Sequence, residues 1–311
     1  MSIGNWRASF IDYRKPGIFL ITMAKNDCIP PFSSILRTGR DDKYKGTNVK
    51  YDPIGYVISE KIKNFSELFP KLRILQYIIM PDHIHFILQI TEELDKHLDA
   101  YMQEFKTKIF ETCLQANLVS HSDFIFKYGY NDQFLIHSRK LNDLFVYIWE
   151  NPYRLWIRKT KPEYFTKANE VSIFEVNCQL YGNLELLKNP FIYPVVVHRR
   201  YTEEKKKSLR QQWEYAVNND GVLVSAFISK EEKPWFELAC RKGGKIILFQ
   251  NYGYSEREKP RKKLFDMCEQ GKMLIISPKF PDEIELPIGK NGKPELTKKQ
   301  SRFMNEIIEN F

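Results

Sequence analysis

Tyr77-Ile78-Ile79-Met80-Pro81-Asp82-His83-Ile84-His85-Phe86-Ile87-Leu88 is the stretch on which the reading of this chain turns. Two apolar runs meet at Pro81-Asp82, a tight turn, so residues 72–80 and 83–90 are predicted to form a β-hairpin. Alternate side chains of a strand share a face. Both imidazoles therefore point one way, and Ile84, Phe86 and Leu88 point the other. Farther along, Tyr147 and Asn151 stand four residues apart, on one face of a helix whose apolar stripe is Leu141, Leu144, Phe145 and Ile148. Two imidazoles and an amide oxygen can hold a divalent cation, which can polarise a phosphate beside a tyrosine nucleophile.

Outward from the hairpin, residues 17–24 read as an apolar strand. Residues 25–50, with Pro30-Pro31, Gly39 and Gly46, read as a long exposed loop or hairpin. Helical spacing covers 54–65 and 98–116, and Ser138 opens the helix that carries Tyr147. Pro152 is expected to end that helix, since proline disfavours helical geometry in the residue before it. Strand, helix, strand, strand, helix predicts an α+β sandwich over residues 1–168, an antiparallel sheet with helices packed on one face.

Residues 169–192 lack periodicity and read as a linker. From 193 to 311 strands and helices alternate, with strands at 195–197, 222–227, 245–250 and 273–277. The helices fall at 203–218, 231–242 and 260–270, and a last one lies within 296–311. That order predicts an α/β, Rossmann-like parallel sheet with a C-terminal helix.

Composition bounds the function. The chain has 311 residues, 43% of them hydrophobic and 14% aromatic, as in globular proteins of more than one domain. No run of apolar residues is long enough to span a membrane, and the N-terminal residues lack the order of a signal peptide, so a cytoplasmic protein is expected. Five scattered cysteines without ligand spacing read as reduced thiols. The net charge of +9 is compatible with a polyanionic partner, but it is spread over both halves and supports nucleic acid only weakly.

The hairpin resembles the metal-binding hairpin of HUH single-tyrosine transposases, in which two histidines flank one hydrophobic residue. The closer likeness is to the REP-associated tyrosine transposase branch. There the tyrosine helix runs into an Asn-Pro, as Tyr147-Ile148-Trp149-Glu150-Asn151-Pro152 does here. Phe126-Lys127-Tyr128-Gly129-Tyr130-Asn131-Asp132-Gln133-Phe134-Leu135 is similar to the family's segment before that helix. The likeness covers roughly residues 15–165 and implies a ferredoxin-like fold.

It also implies that His83, His85 and Asn151 bind Mg²⁺ or Mn²⁺. Tyr147 would attack a phosphate of single-stranded or hairpin DNA at the ends of a mobile element, leaving a 5′-phosphotyrosine. A phenol, with a pKa of about 10, is a weak nucleophile at neutral pH, and a nearby cation favours the phenolate. Relatives exist as monomers and as dimers that exchange the tyrosine helix. The family often has a histidine where Gln133 stands, which bears on DNA contact or support of the site.

Bland readings stand beside these. A lone His-x-His is more often structural, and Tyr147 alone would be a core residue. Lys106, Lys108, Arg154 and Arg158 are ordinary solvated cations or phosphate contacts. Tyr153 is a poorer nucleophile because it lies past the proline. In the second half, residues 182–190, 221–229 and 243–248 resemble the Rossmann-like core of DprA-type DNA-processing proteins. His198-Arg199-Arg200 stands where those proteins carry a glycine. Arg199 and Arg200 remain candidates for a phosphate at a strand end, before a helix. Two further functions stay open: a domesticated, non-cleaving DNA-binding protein, and a regulator whose second half senses a nucleotide.

Overall fold

A computed structural model describes residues 11–37, 47–135, 140–255, 258–289 and 294–311. Ser138 and the middle of the 25–50 stretch lie outside the described residues. The chain divides into two compact units, Met1–Trp156 and Ile157–Phe311.

The first unit runs β1 (Gly17–Ala24), β2 (Ser33–Arg37), β3 (Thr47–Tyr51), α1 (Pro53–Lys63), α2 (Phe65–Leu68), β4 (Leu72–Ile79), β5 (His83–Ile90), α3 (Leu98–Gln115), β6 (Asn131–Phe134) and α4 (Leu141–Thr160). Its sheet is ordered β4-β5-β1-β6 with every neighbouring pair antiparallel. The predicted hairpin closes where the Met80 N–H donates to the His83 carbonyl at 2.8 Å. Ile84, Phe86 and Leu88 are fully buried. They pack with Ile58 of α1 and with Met102, Phe105 and Ile109 of α3.

Gly55 lets α1 approach the chain before β2. A Cβ there would lie 3.0 Å from the Phe32 carbonyl carbon and closer still to its oxygen. Residues 33–37 and 47–51 form a hairpin of their own, β2–β3, in line with the expected loop or hairpin.

Helices on one face only was the expectation, and the structure corrects it. Leu20 and Ile87, on the face opposite α1 and α3, form a second core with Ile148, and Leu141, Leu144 and Phe145 of α4 pack against it. Ile87 shares the imidazoles' face, and an apolar side chain there needs cover.

Pro152 also fails to end α4, which continues to Thr160. Proline removes one backbone donor and crowds the preceding turn, a cost of about 3 kcal/mol. Here the residues past it offset that cost, because Tyr153 and Ile157 are buried. Tyr153 lies with Trp156 beneath the Arg37 guanidinium, which is 4.4 Å from the Trp156 ring centroid.

The second unit comprises β7 (Thr166–Ile173), β8 (Val176–Gly182), β9 (Ile192–Pro194), α5 (Glu203–Asn218), β10 (Val222–Ser225), α6 (Lys233–Lys242), β11 (Lys245–Phe249), α7 (Lys263–Glu269), β12 (Met273–Pro278) and α8 (Lys298–Ile308). The sheet order is β7-β8-β12-β11-β10-β9. Strands β9 to β12 are parallel, and β8 and β7 extend the sheet antiparallel. Met304, Ile307 and Ile308 of α8 pack on Val222, Val224, Ile247, Phe249, Leu274 and Ile276. The alternate residues Leu223, Ile246 and Ile275 are equally buried, so both faces of the sheet are covered.

Residues 169–192 are therefore not a linker: most of them belong to β7, β8 and β9. The hairpin escapes sequence reading because its turn, Phe174-Glu175, has positive φ at both residues (46° and 66°) without the Asn-Gly or Asp-Gly that usually marks such a turn. β7 is also an edge strand with a register shift between Ala168 and Val171. The strand expected at 195–197 lies three residues earlier, at β9.

All five cysteines are free. Burial pushes the thiols of Cys113, Cys178 and Cys240 up to about 11 and that of Cys268 up to about 12. Cys28 is exposed. The thiolate is the reactive species, so a thiol reagent at pH 8 is expected to modify Cys28 first. The other four should lag until the protein unfolds. Peptide mass mapping after a short pulse checks this, and equal labelling of Cys268 would refute it.

Candidate metal and nucleophile site

β5 holds the two histidines on one face by its period of two. His83 stands opposite Ala24 and His85 opposite Thr22 of β1. Their ring centroids are 4.4 Å apart. α4 crosses this face, and the Tyr147 ring lies 5.6 Å from that of His85, tilted by 61°.

Each imidazole is oriented through Nδ1. His83 Nδ1 is 2.7 Å from an Asp82 carboxylate oxygen. Ionised carboxylates only accept, so Nδ1 carries the proton and the lone pair of the neutral ring sits on Nε2. His85 Nδ1 is 2.7 Å from Thr22 Oγ1, a hydroxyl able to donate or accept; with the hydroxyl accepting, Nε2 is the nitrogen through which His85 would coordinate. Both rings thus present the same type of nitrogen, each steadied by an outer partner, an arrangement typical of metal-ligating histidines. His85 is 7% exposed, so its ring is also fixed by packing.

Asp82 and Thr22 were not singled out from the sequence. Signals existed: Asp82 directly precedes His83, and Thr22 is the polar residue in an otherwise apolar strand. What was missing was the register that sets Thr22 opposite His85.

Asn151 lies one turn beyond Tyr147, 9% exposed, and its amide nitrogen donates to the Tyr147 carbonyl at 2.9 Å. Its oxygen is the atom suited to ligation. Among the described residues no group of three or more His, Cys, Asp or Glu side chains gathers to hold a metal. A cation at this site would therefore rest on two imidazoles and neutral oxygen. That donor set fits a divalent cation of borderline character, and suits Mn²⁺ better than Mg²⁺.

The other candidates fall elsewhere. Lys106 and Lys108 stand on α3, whose buried residues pack on the sheet face opposite the imidazoles. The Lys106 ammonium donates to the carbonyls of Lys127 and Gly129, which makes it a loop tether. Lys108 pairs with Glu111 at 3.5 Å. Arg154 is buried and ion-paired with Glu150 on the same helix, so it is not a solvated phosphate contact. Arg158 is half-buried in the last turn of α4. Gln133 is exposed on β6, opposite Leu20, and therefore on the imidazoles' face.

In the second unit Arg199 and Arg200 are exposed in a turn after β9. The Val197 amide just before them is already occupied. The buried Glu232 carboxylate accepts from the N–H groups of Val197, Ile228 and Ser229 at 3.1–3.2 Å. An internal carboxylate thus sits beside the strand end that precedes Arg199 and Arg200, the candidates for a phosphate. The parallel strands also advance in chain order, β9-β10-β11-β12, without the reversal that opens a ligand crevice in doubly wound sheets. These observations argue against the nucleotide reading of this half.

No family model and no curated protein matches the chain. Among solved structures, a REP-associated tyrosine transposase bound to a REP hairpin is similar over 50% of this chain and 74% of that one, at 17% identity and a TM-score of 0.32. So slight a likeness decides neither residue roles nor chemistry, which rest on the geometry of the site itself. Among the described residues no helix is long and apolar enough to cross a membrane.

Proposed function

We propose that the first unit is a metal-dependent endonuclease and strand transferase for single-stranded DNA, in which Tyr147 is the nucleophile. The observation that carries this reading is the Tyr147 ring set against His85, beside a pair of imidazoles whose Nδ1 atoms are both engaged. A ferredoxin-like topology supports it too, since β1, β4, β5 and β6 with α1 and α3 follow a β-α-β-β-α-β order.

His83 and His85 would hold Mn²⁺ or Mg²⁺ through Nε2, with the Asn151 amide oxygen as third protein ligand. When bound, the cation neutralises charge that grows on the non-bridging phosphate oxygens. The Tyr147 oxygen loses its proton and forms a bond to phosphorus. The bond from phosphorus to the 3′-oxygen breaks, and that oxygen leaves as a free 3′-hydroxyl after taking a proton. The product is a 5′-phosphotyrosine. Because it keeps a phosphodiester, attack by a 3′-hydroxyl reverses the step and rejoins strands without a nucleotide cofactor. Hairpin or repeat ends of a mobile element are the substrate class this chemistry suits.

The test is incubation with a panel of end-labelled single-stranded hairpins and Mn²⁺, followed by denaturing electrophoresis. An adduct carrying the label from the 3′ side of the break, and lost in EDTA, is expected. No adduct across the panel would sink the proposal.

Thr22→Val tests the imidazole support separately. It removes the hydroxyl that steadies His85 with little change of shape. Loss of such an outer partner typically costs about 10–100-fold in metal affinity. Calorimetric titration with Mn²⁺ should show a weakening in that range with the thermal midpoint little changed. Unaltered affinity would mean that the hydroxyl does not orient the ring.

A further inference from the structure

The geometry points to edge strand β6 and the loop before it as the surface that seats the bases of the strand being cut, with Tyr128 as a stacking platform and Asn131 and Gln133 as base-reading amides. This inference rests on the proposed DNA chemistry and adds where the substrate lies.

Register places these residues. Thr22 of β1 stands opposite His85 on one side and opposite Asn131 on the other. Directly opposed residues share a face, so His85, Thr22 and Asn131 form one row across the sheet. Two strand spacings put Asn131 about 10 Å from His85 in that row. Gln133 occupies the next row, opposite Leu20, which stands opposite Ile87. α4 covers Leu20 and Ile87, whereas Asn131 and Gln133 are exposed. Among the described residues the imidazole face is thus roofed over its middle strands and open along β6. A nucleotide or two beyond a phosphate at His83 and His85 would meet these amides. Asparagine and glutamine each offer a paired donor and acceptor that match base edges.

The preceding loop meets the same end of the sheet. The Lys127 N–H donates to the Ala24 carbonyl at 2.9 Å, Lys25 bridges Phe126, and Ala24 is the residue opposite His83. Ile125 and Phe126 anchor the loop in the core, and Lys106 ties two of its carbonyls. From this fixed base Tyr128 projects 87% exposed. The braced main chain has little freedom left to lose when that ring stacks. Around the loop Lys127 pairs with Asp27 at 2.8 Å, and Lys25 and Lys106 donate to main-chain carbonyls, so the ammonium groups brace the loop. An exposed ring and two exposed amides in line with the proposed cleavage site suit the bases of a single strand.

The test measures anisotropy of fluorescein-labelled single-stranded 20-mers of dA, dT and dC, and of one hairpin with a single-stranded tail, in EDTA. Tyr128→Ala is expected to weaken binding by roughly 5–100-fold, the usual loss of one stacked base, and Tyr128→Phe to restore it. Asn131→Ala with Gln133→Ala should flatten the differences among the 20-mers. All three positions are exposed, so thermal midpoints should match that of the unaltered protein. If the unaltered protein binds none of the probes and forms no adduct, the proposed DNA function falls and takes this inference with it. If the unaltered protein binds and cuts while the variants bind and discriminate as it does, this inference alone is overturned.

Discussion

Tyr147→Phe is expected to abolish the covalent DNA adduct, with a loss on the order of 10⁴-fold or more, as is usual when a nucleophile is removed. The change deletes one oxygen and keeps the ring. The ring packs against the small core of Leu20, Ile87 and Ile148 and faces His85, so phenylalanine should preserve both contacts. Mn²⁺ affinity and the thermal midpoint should therefore stay close to those of the unaltered protein. That combination separates a lost nucleophile from a damaged site. An adduct of ordinary yield from the phenylalanine variant would move the chemistry to another residue. Tyr153 is a poor substitute, being 3% exposed and lodged with Trp156 beneath Arg37.

The second large effect concerns the fold that carries the hairpin. Gly55→Ala should destabilise the first unit by about 3 kcal/mol, at the upper end of the range for overpacking. Helix propensity alone favours alanine by about 1 kcal/mol, so the sign depends on the contact. The atoms a Cβ would meet are backbone, the carbonyl group of Phe32. Phe32 cannot yield easily: it is fully buried, its N–H donates to the Pro81 carbonyl, and its own carbonyl accepts from Asp52. A drop in the thermal midpoint of about 6–12 °C is expected for a unit of this size. Gly129→Ala is the control. Its φ is 68°, but nothing lies within 4 Å of the added carbon, so only the left-handed backbone cost of about 1–2 kcal/mol applies. If Gly55→Ala melts no lower than Gly129→Ala, the close approach of α1 is not what the geometry implies.

Period and spacing made part of this molecule legible from its residues alone. Alternation in 83–90 is enough to put both imidazoles on one side and a core on the other. A four-residue step is enough to align Tyr147 with Asn151. Apolar periodicity and turn residues also gave the strand-helix alternation from residue 203 to the last helix. These features are local: each depends on neighbours a few positions away.

Other features were decided by partners distant in the chain. Periodicity shows that α4 has an apolar stripe but not which side of the sheet it covers. That choice fell to Leu20 and Ile87, which needed burial. The proline rule gave way because Tyr153 and Ile157 are buried beyond Pro152. The Phe174-Glu175 turn carries no turn-forming residue to announce it, so the hairpin stayed hidden. Lys106 and Arg154 read as free cations until the fold supplied a pair of loop carbonyls for one and Glu150 for the other. Thr22 became a partner of His85 only through the register of β1 on β5. Glu232 took the place of an external anion near the strand end before Arg199 and Arg200 because three amides from two loops converge on it. A sequence states what each segment can bury or donate; pairing across the sheet and competition for burial decide which neighbour receives it.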